Sequence, residues 1–321
     1  MDRVVPEFGP FTFGCNVFGW TVDEARTFEL LDHCFASGVR YLDTADHYIT
    51  WANGGQGGES EAMIGRWLSA RGHGDAVSII TKVGFPMGDG SKGLSRGHIL
   101  RSIDQSLERL QRGHVEYYMA HLEDPDTPLE ETIDTFAELL ESGKARALAV
   151  SQFSAATIER AFNYAAGRGL PCFSAYETLY NLWDREPFES EGALVAQRHG
   201  MKVLPFRSLA AGFLTGKYRN DASVEGPRAA RIRDYLSPRG MRILAALDEV
   251  ATALGASVTQ VAIAWLAGRP TVSTILASAT TTAQIDELLA GIRLTLNADQ
   301  WALLDSASEP GNDGSWTLRN G

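Results

Sequence analysis

Residues 38–48 read GVRYLDTADHY. The run VRYLDT (39–44) has the length and apolar weight of a buried strand, and the polar residues behind it read as a turn. Upstream, residues 21–36 set Phe28, Leu31, Cys34 and Phe35 on one helical stripe, and Gly38 is the stop signal. Thr21 and Glu24 have the spacing of a capping box at the start of that helix. Downstream, ESEAMIGRWLSA (59–70) is helical again. A strand flanked by two helices is the unit to extend in both directions.

The unit recurs. Strand-like runs stand at 11–16, 39–44, 77–82, 115–121, 146–151, 172–177, 202–207 and 273–278. They are near-continuous in apolar character, as strands covered on both faces are. Helical segments fall at 21–36, 59–70, 95–111, 128–142, 154–166, 188–199, 240–254, 258–267 and 281–291, the last with Thr281 or Thr282 as its cap. Eight alternations with no break in composition predict an α/β fold: one (β/α)8 TIM barrel domain over 1–321. An open doubly wound sheet is the competitor, but no GxGxxG follows the first strand. The longest interruption, 209–239, holds LAAGFLTGKY and RAARIRDY, and a connection of that length is usually functional or mobile. The tail 309–321 is polar apart from Trp316.

The chain has 321 residues, 44% hydrophobic and 21% charged, with a net charge of −11. An acidic balance argues against nucleic-acid backbone binding and leaves room only for a local basic pocket. Cys15, Cys34 and Cys172 are widely spaced and odd in number, so neither a disulfide scaffold nor a zinc site is expected. MDRVVPEFGP has no apolar core of a signal peptide, and no uninterrupted apolar run of about 18 residues occurs. A cytoplasmic protein with no membrane partner is the expectation.

In a barrel of this kind chemistry gathers at the C-terminal ends of the strands. Those ends are Asp43, with Tyr48 beyond it, then Lys82, His121, Ser151-Gln152, Glu177, Phe206-Arg207 and Ser278. Singly, each has a plain use: Asp43-Thr44 as a turn cap, Lys82 as a solvated strand end, His121 as a core histidine. Together they converge on one mouth and form an acid–base set. A phenol titrates near 10, and a neighbouring ammonium stabilises its phenolate. Tyr48 is then the acid, Lys82 its activator, Asp43 the holder of Lys82, and His121 the group that orients a carbonyl.

By these residues the chain resembles the aldo-keto reductase superfamily. The resemblance runs through GVRYLDTADHY (38–48), GGESEAMIGRWL (57–68), ITK (80–82), VEYYMAH (115–121) and ESGKARALAVSQF (141–153). It continues in YNLWDRE (180–186), LAAGFLTGKY (209–218) and AQIDELL (283–289). It implies a (β/α)8 barrel with an N-terminal hairpin across its bottom and an extended nicotinamide cofactor across its top. The tetrad maps to Tyr48, Asp43, Lys82 and His121. The nicotinamide amide contacts map to Ser151, Gln152 and Glu177, and the stacked ring maps to Phe206. The pyrophosphate segment is 207–217, with Arg207, Leu209, Gly212 and Lys217. The adenosine end is 278–288, with Ser278, Thr280, Gln284 and Glu287. Cys15 and Asn16, at the end of the first strand, are assigned to the cofactor side as well.

Several positions depart from the family's habit. Gln152 replaces Asn, Glu177 replaces Gln, Phe206 replaces Tyr and Arg207 replaces Ser. A carboxylate at 177 accepts hydrogen bonds but cannot donate. Arg207 has two candidate partners, the pyrophosphate and Glu177. Residues 278–288 contain no Lys or Arg, so NADP(H) is expected ahead of NAD(H) with weak discrimination. On the substrate side, the loop ITWANGGQGGE (49–59) reads as a rim, with Trp51 as its wall and His47 and Asn16 as neighbours. Trp316 either closes the rim or sits on the surface. Glu59 and Glu61 suit a helix N-terminus and are given no chemistry.

The leading expectation is reduction or oxidation of a carbonyl–alcohol pair, with an aldehyde, ketone or sugar as substrate. The alternatives are a nucleotide-sensing barrel like the channel-associated β subunits, and an NAD-dependent aldose dehydrogenase. A metal-dependent hydrolase has no HxH after an early strand to support it. Substrate, direction and oligomeric state stay open.

Overall fold

In a computed structural model, residues 5–310 are described except 53, 75, 220–223 and 225–228. Eight strands form one sheet: β1 (Phe11–Gly14), β2 (Tyr41–Asp43), β3 (Ser78–Val83), β4 (Val115–Ala120), β5 (Ala145–Ser151), β6 (Ala175–Leu179), β7 (Lys202–Phe206) and β8 (Ile275–Ala277). All eight expected strands are present, and their order is β7-β6-β5-β4-β3-β2-β1-β8 with every pair parallel. A Val203–Val272 bridge and a 2.9 Å hydrogen bond from Ser273 N–H to Val203 O bring the two edges together just before β8.

The helices are α1 (Glu24–Ala36), α2 (Glu59–Arg71), α3 (Arg96–Leu110), α4 (Leu129–Glu141), α5 (Ala155–Arg168), α6 (Ala193–Arg198), α7 (Ala229–Tyr235), α8 (Pro238–Leu254), α9 (Val258–Ala267), α10 (Thr282–Arg293) and α11 (Ala298–Ser308). Two differ in how they begin from what the sequence suggests. The cap of α1 is Asp23, whose carboxylate accepts from Arg26 N–H, so Thr21 and Glu24 form no capping box. Thr21 N–H instead bonds Val17 O in a tight turn. The expected 188–199 helix starts as a π-helical turn, Phe188–Gly192, before α6. Thr281 caps α10.

The core has two layers. Outside the barrel, apolar residues of the strands meet the helix stripes, among them Leu30, Trp67, Ile103, Phe136 and Trp265. Inside it, Tyr41, Ile80, Tyr117, Met119, Ala147, Ala149, Ala175 and Leu204 form a separate cluster. Its floor is the segment before β1. Phe8 packs on Tyr41 and Tyr117, whose hydroxyls donate to Glu7 O and Pro6 O at 2.8 and 2.6 Å. Among the described residues no hairpin precedes β1: residues 5–10 close the bottom as irregular chain, and Phe11–Gly14 belongs to the barrel itself. The resemblance's hairpin is corrected to that extent.

Candidate active site

Side chains alternate along a strand, so a residue two steps beyond an inward-facing one faces inward too. The interior cluster therefore fixes which strand-end residues share the mouth. Tyr41 puts Asp43 inside, Ile80 puts Lys82, Ala149 puts Ser151, Ala175 puts Glu177, and Leu204 puts Phe206. His121 follows from Met119, and its N–H continues the ladder to Val83 O at 2.9 Å. The apolar interior below them shuts out water from one side.

Lys82 is the hub and is fully buried. Its ammonium lies 2.6 Å from Asp43 Oδ1 and 3.6 Å from Glu177 Oε2. It donates to Tyr48 Oη and to Thr44 O, both at 2.9 Å. Tyr48 in turn donates to Asp43 Oδ2 at 3.2 Å. Burial alone would lower the lysine, but Asp43, Glu177 and Tyr48 outweigh it and hold the ammonium charged above its ordinary range. Asp43 is raised by burial, against the pull of Lys82. Glu177 is pushed up to about 8 by burial, with Asp43 acting against its ionisation and Lys82 for it.

The tyrosine does not behave as the lone Tyr–Lys pair suggests. Burial raises Tyr48 well above 10, Asp43 and Glu177 add to the rise, and Lys82 only offsets part of it. The phenol is thus loaded with its proton throughout the neutral range. The turn that carries it is held firmly: Ile49, directly behind it, is a β-branched residue at φ 87°. Left-handed backbone at such a residue is strained and persists only where the surroundings impose it.

Aromatic rings wall the mouth. His47 stacks on Phe85 with centroids 4.5 Å apart and meets the edges of Tyr48 and His121. Burial lowers His47 to about 3 and His121 well below 6.5, so both imidazoles are neutral. Nδ1 of His121 is buried without a hydrogen-bond partner among the described residues. Trp51 is 46% exposed and touches Tyr48, His47 and Trp20 edge-on or tilted. Phe85 and Trp20 are not singled out by sequence reasoning. An aromatic residue three places after a strand-end lysine was the available signal for Phe85.

The proposed cofactor positions divide. Ser151 Oγ lies 3.5 Å from Glu177 Oε1, and Gln152, at φ 55°, donates from Nε2 to His121 O at 3.3 Å. Beyond β7 the backbone is left-handed at Arg207, Ala210, Ala211 and Gly212, with φ of 54°, 47°, 57° and 100°. Successive residues of this kind make concave backbone suited to anions. A side chain on Gly212 would approach Lys217 Nζ to 4.0 Å, so that exposed ammonium hangs over the same turn. Leu209 opens this turn as the residue before Ala210–Thr215. Arg207 is half-buried over the Phe206 ring, and its neighbours are Arg231, Asp184 and the Tyr235 phenol rather than Glu177. That removes Glu177 as its partner.

At the far end, Ser278 Oγ donates to Asn16 Oδ1 at 2.5 Å, tying β8 to the end of β1. Thr280 N–H and Oγ1 both reach Gln284 Oε1, at 2.8 and 3.2 Å. Two further assigned residues make contacts within the fold. Cys15 is fully buried, its thiol aimed at Phe13 O, its N–H given to Asp43 O and its carbonyl taken by Ser60 Oγ. Glu287 accepts from Ser257, the cap of α9, at 2.6 Å and holds two helices together. Glu61, expected at a helix N-terminus, is there and is fully buried against Arg109 at 2.7 Å and Thr81 at 2.5 Å. Trp316 lies outside the described residues. Among the described residues there is no group of three potential metal ligands, and no single helix is long and apolar enough to cross a membrane.

Comparison with known proteins places the chain among relatives. The model of the Aldo/keto reductase family matches residues 10–309. Protein tas of Escherichia coli (strain K12) is 28% identical over 94% of this chain and 95% of its own length. The putative voltage-gated potassium channel subunit beta of Schizosaccharomyces pombe is 32% identical over 83% of this chain and 78% of its own. L-glyceraldehyde 3-phosphate reductase of Escherichia coli O157:H7 is 29% identical over 89% of this chain and 85% of its own.

Proposed function

The chain belongs to the aldo/keto reductase family and is an oxidoreductase, and from that premise we propose that it interconverts a small carbonyl compound and its alcohol with Tyr48 as proton donor and acceptor. The observation that carries this is the buried contact of one ammonium with one phenol and one carboxylate: Lys82 with Tyr48 at 2.9 Å and with Asp43 at 2.6 Å. Nothing about barrel stability calls for that cluster, because burying such charges is costly.

A nicotinamide nucleotide supplies the hydride when bound. The residues present fit one: an unpartnered oxygen on Glu177, the left-handed turn at 210–212, and Lys217 above it. Ser151, Gln152 and Glu177 would hold the carboxamide, Phe206 the ring, and 207–217 the pyrophosphate. Tyr48 gives its proton to the carbonyl oxygen, Lys82 stabilises the charge left on the phenol, and Asp43 fixes Lys82. Neutral His121 orients the carbonyl, and Trp51, His47 and Phe85 exclude water. NADP(H) is proposed as the habitual partner, with NAD(H) accepted.

The test is a panel of aldehydes, ketones and sugars with all four nucleotides, run on wild type and Tyr48→Phe. Loss of a general acid is expected to cost about 10²- to 10⁴-fold in turnover. Unchanged turnover in Tyr48→Phe would overturn the assignment. A second reading, a barrel that binds nucleotide to regulate a partner, is favoured by the likeness to a protein named as a potassium channel β subunit. Tight nucleotide binding with no turnover on the panel would select it.

A further inference from the structure

Glu177 is placed at the carboxamide, but that contact alone gives its charge no task. It sits on β6, 3% exposed, in register with Ser151 on one side and Leu204 on the other. The groups facing it are Lys82 from β3, Asp43 from β2, Tyr48 from the loop behind β2, and Ser151 from β5. From β7 its register partner is apolar Leu204. Among the described residues its Oε2 has no hydrogen-bond partner, and it stands 3.6 Å from an ammonium already held at 2.6 Å by Asp43.

The charges can be counted. Lys82 contributes one positive charge and Asp43 one negative, while Tyr48, His47 and His121 are neutral. The floor of the mouth is therefore neutral when Glu177 carries a proton and carries one negative charge when it does not. An oxidised nicotinamide ring is a cation, and a reduced one is neutral. A buried carboxylate stabilises the first and not the second, because the low-dielectric floor screens it poorly. Protonated, Glu177 offers one donor and one acceptor, as an amide does.

We propose that Glu177 is a specificity-determining residue that makes the site discriminate between the oxidised and reduced forms of its nicotinamide cofactor according to pH, favouring the oxidised form once the side chain is ionised. This rests on the reading that the mouth takes a nicotinamide. The direction in which the enzyme runs then depends on a proton held at Glu177 as well as on the one at Tyr48. Burial and Asp43 push Glu177 up to about 8, while burial holds Tyr48 well above 10 and the two histidines well below 6.5.

Dissociation constants for NAD, NADH, NADP and NADPH, measured by fluorescence titration without substrate from pH 6 to 9.5, test it in wild type and Glu177→Gln. Taking the oxidised-to-reduced ratio for each nucleotide cancels the titration of its phosphates. In wild type the preference for the oxidised form should rise by about tenfold across the range. In Glu177→Gln it should stay flat. Calorimetry of wild type in buffers of different ionisation enthalpy gives a second readout that needs no variant. Binding of the oxidised form near pH 8 should release protons, and binding of the reduced form should not. A pH-independent ratio in wild type, an equal rise in Glu177→Gln, or no difference in proton release overturns the proposal while leaving the nicotinamide reading intact. Failure of all four nucleotides to bind overturns both.

Discussion

Lys82→Met removes the hub of the site and keeps a side chain of similar length. In the wild type the ammonium faces Asp43 at 2.6 Å and Glu177 at 3.6 Å, with no exposure to solvent. At an effective dielectric of about 20 these attractions amount to about 6 kcal/mol for Asp43 and, once Glu177 is ionised, about 5 kcal/mol for Glu177. Most of that only offsets the cost of burying three ionisable groups, so the net loss on removing the cation is taken as ~3–5 kcal/mol. The loss must depend on pH. Without Lys82, the two carboxyls have no cation within reach, and their folded-state pKa values rise further above the unfolded ones. An acid with a raised folded pKa binds protons more readily when folded, so stability falls as pH rises from the unfolded value toward the folded one. The variant should therefore be close to wild type near pH 5 and furthest below it near pH 8. Guanidinium unfolding midpoints at pH 5, 6.5 and 8 measure this, and Asp43→Asn in the Lys82→Met background should recover part of the deficit at pH 8. A deficit equal at all three values, or none at pH 8, would refute the reasoning, because the cluster would not then be an electrostatic unit.

Three other expectations follow from particular contacts. Dissociation constants for NADPH and NADH should differ by less than about a thousandfold, some 4 kcal/mol, since the 278–288 segment offers hydroxyls and a helix start but no cation; a larger preference for NADPH rejects this. Gly65→Ala places a Cβ 2.1 Å from Arg109 O and 2.9 Å from Leu110 C, both backbone atoms of the facing helix α3. The two helices must part, so thermal unfolding should show a loss of about 1–3 kcal/mol, and an unchanged midpoint rejects the close approach. Glu177→Gln removes one of the two carboxylates that raise Tyr48. Alcohol oxidation needs the phenol deprotonated, so the rising alkaline limb of its pH–rate profile should move to lower pH in that variant; a limb that stays put or moves up rejects the coupling.

The barrel was legible because its strands are covered on both faces and its helices are striped. The strand boundaries fall within three residues of expectation. What was not legible has local causes. Thr21–Glu24 matched a capping pattern, but a turn closed by Val17 O took Thr21, and Asp23 two places on had the shorter reach to Arg26 N–H. Helix α7 lay within a charged stretch with no clear stripe, yet Ile232 and Tyr235 bury one face. Helix α11 buries Leu304 and Ser308 but shows almost no segregation of apolar from polar residues. The hairpin implied by resemblance is replaced by six residues that work through two tyrosine hydroxyls and one phenylalanine, partners that are far apart in sequence.

The strand-end residues of the candidate site were legible once the strands were placed, and the structure adds the reason they share one mouth: parity. Once the strand ends are set, counting back by two from Asp43, Lys82, His121 and Glu177 reaches Tyr41, Ile80, Met119 and Ala175, all in the barrel interior. Sequence therefore fixes which residues meet, but not what the meeting does to their protons. A tyrosine beside a lysine reads as an acidified phenol. Here two carboxylates and burial outweigh the lysine, and the phenol becomes a weaker acid. The same competition turns Glu177, which in sequence looks like a charged substitute for an amide, into a group pushed up to about 8 and able to donate as an amide does. Residue identity gives the parts of such a site. Their protonation depends on distances of a few ångströms between strands that lie far apart in sequence. Cys15 and Glu287 show the same limit: their fold contacts, to Phe13 O and to the cap of α9, are set by neighbours that the strand ends and motifs do not name.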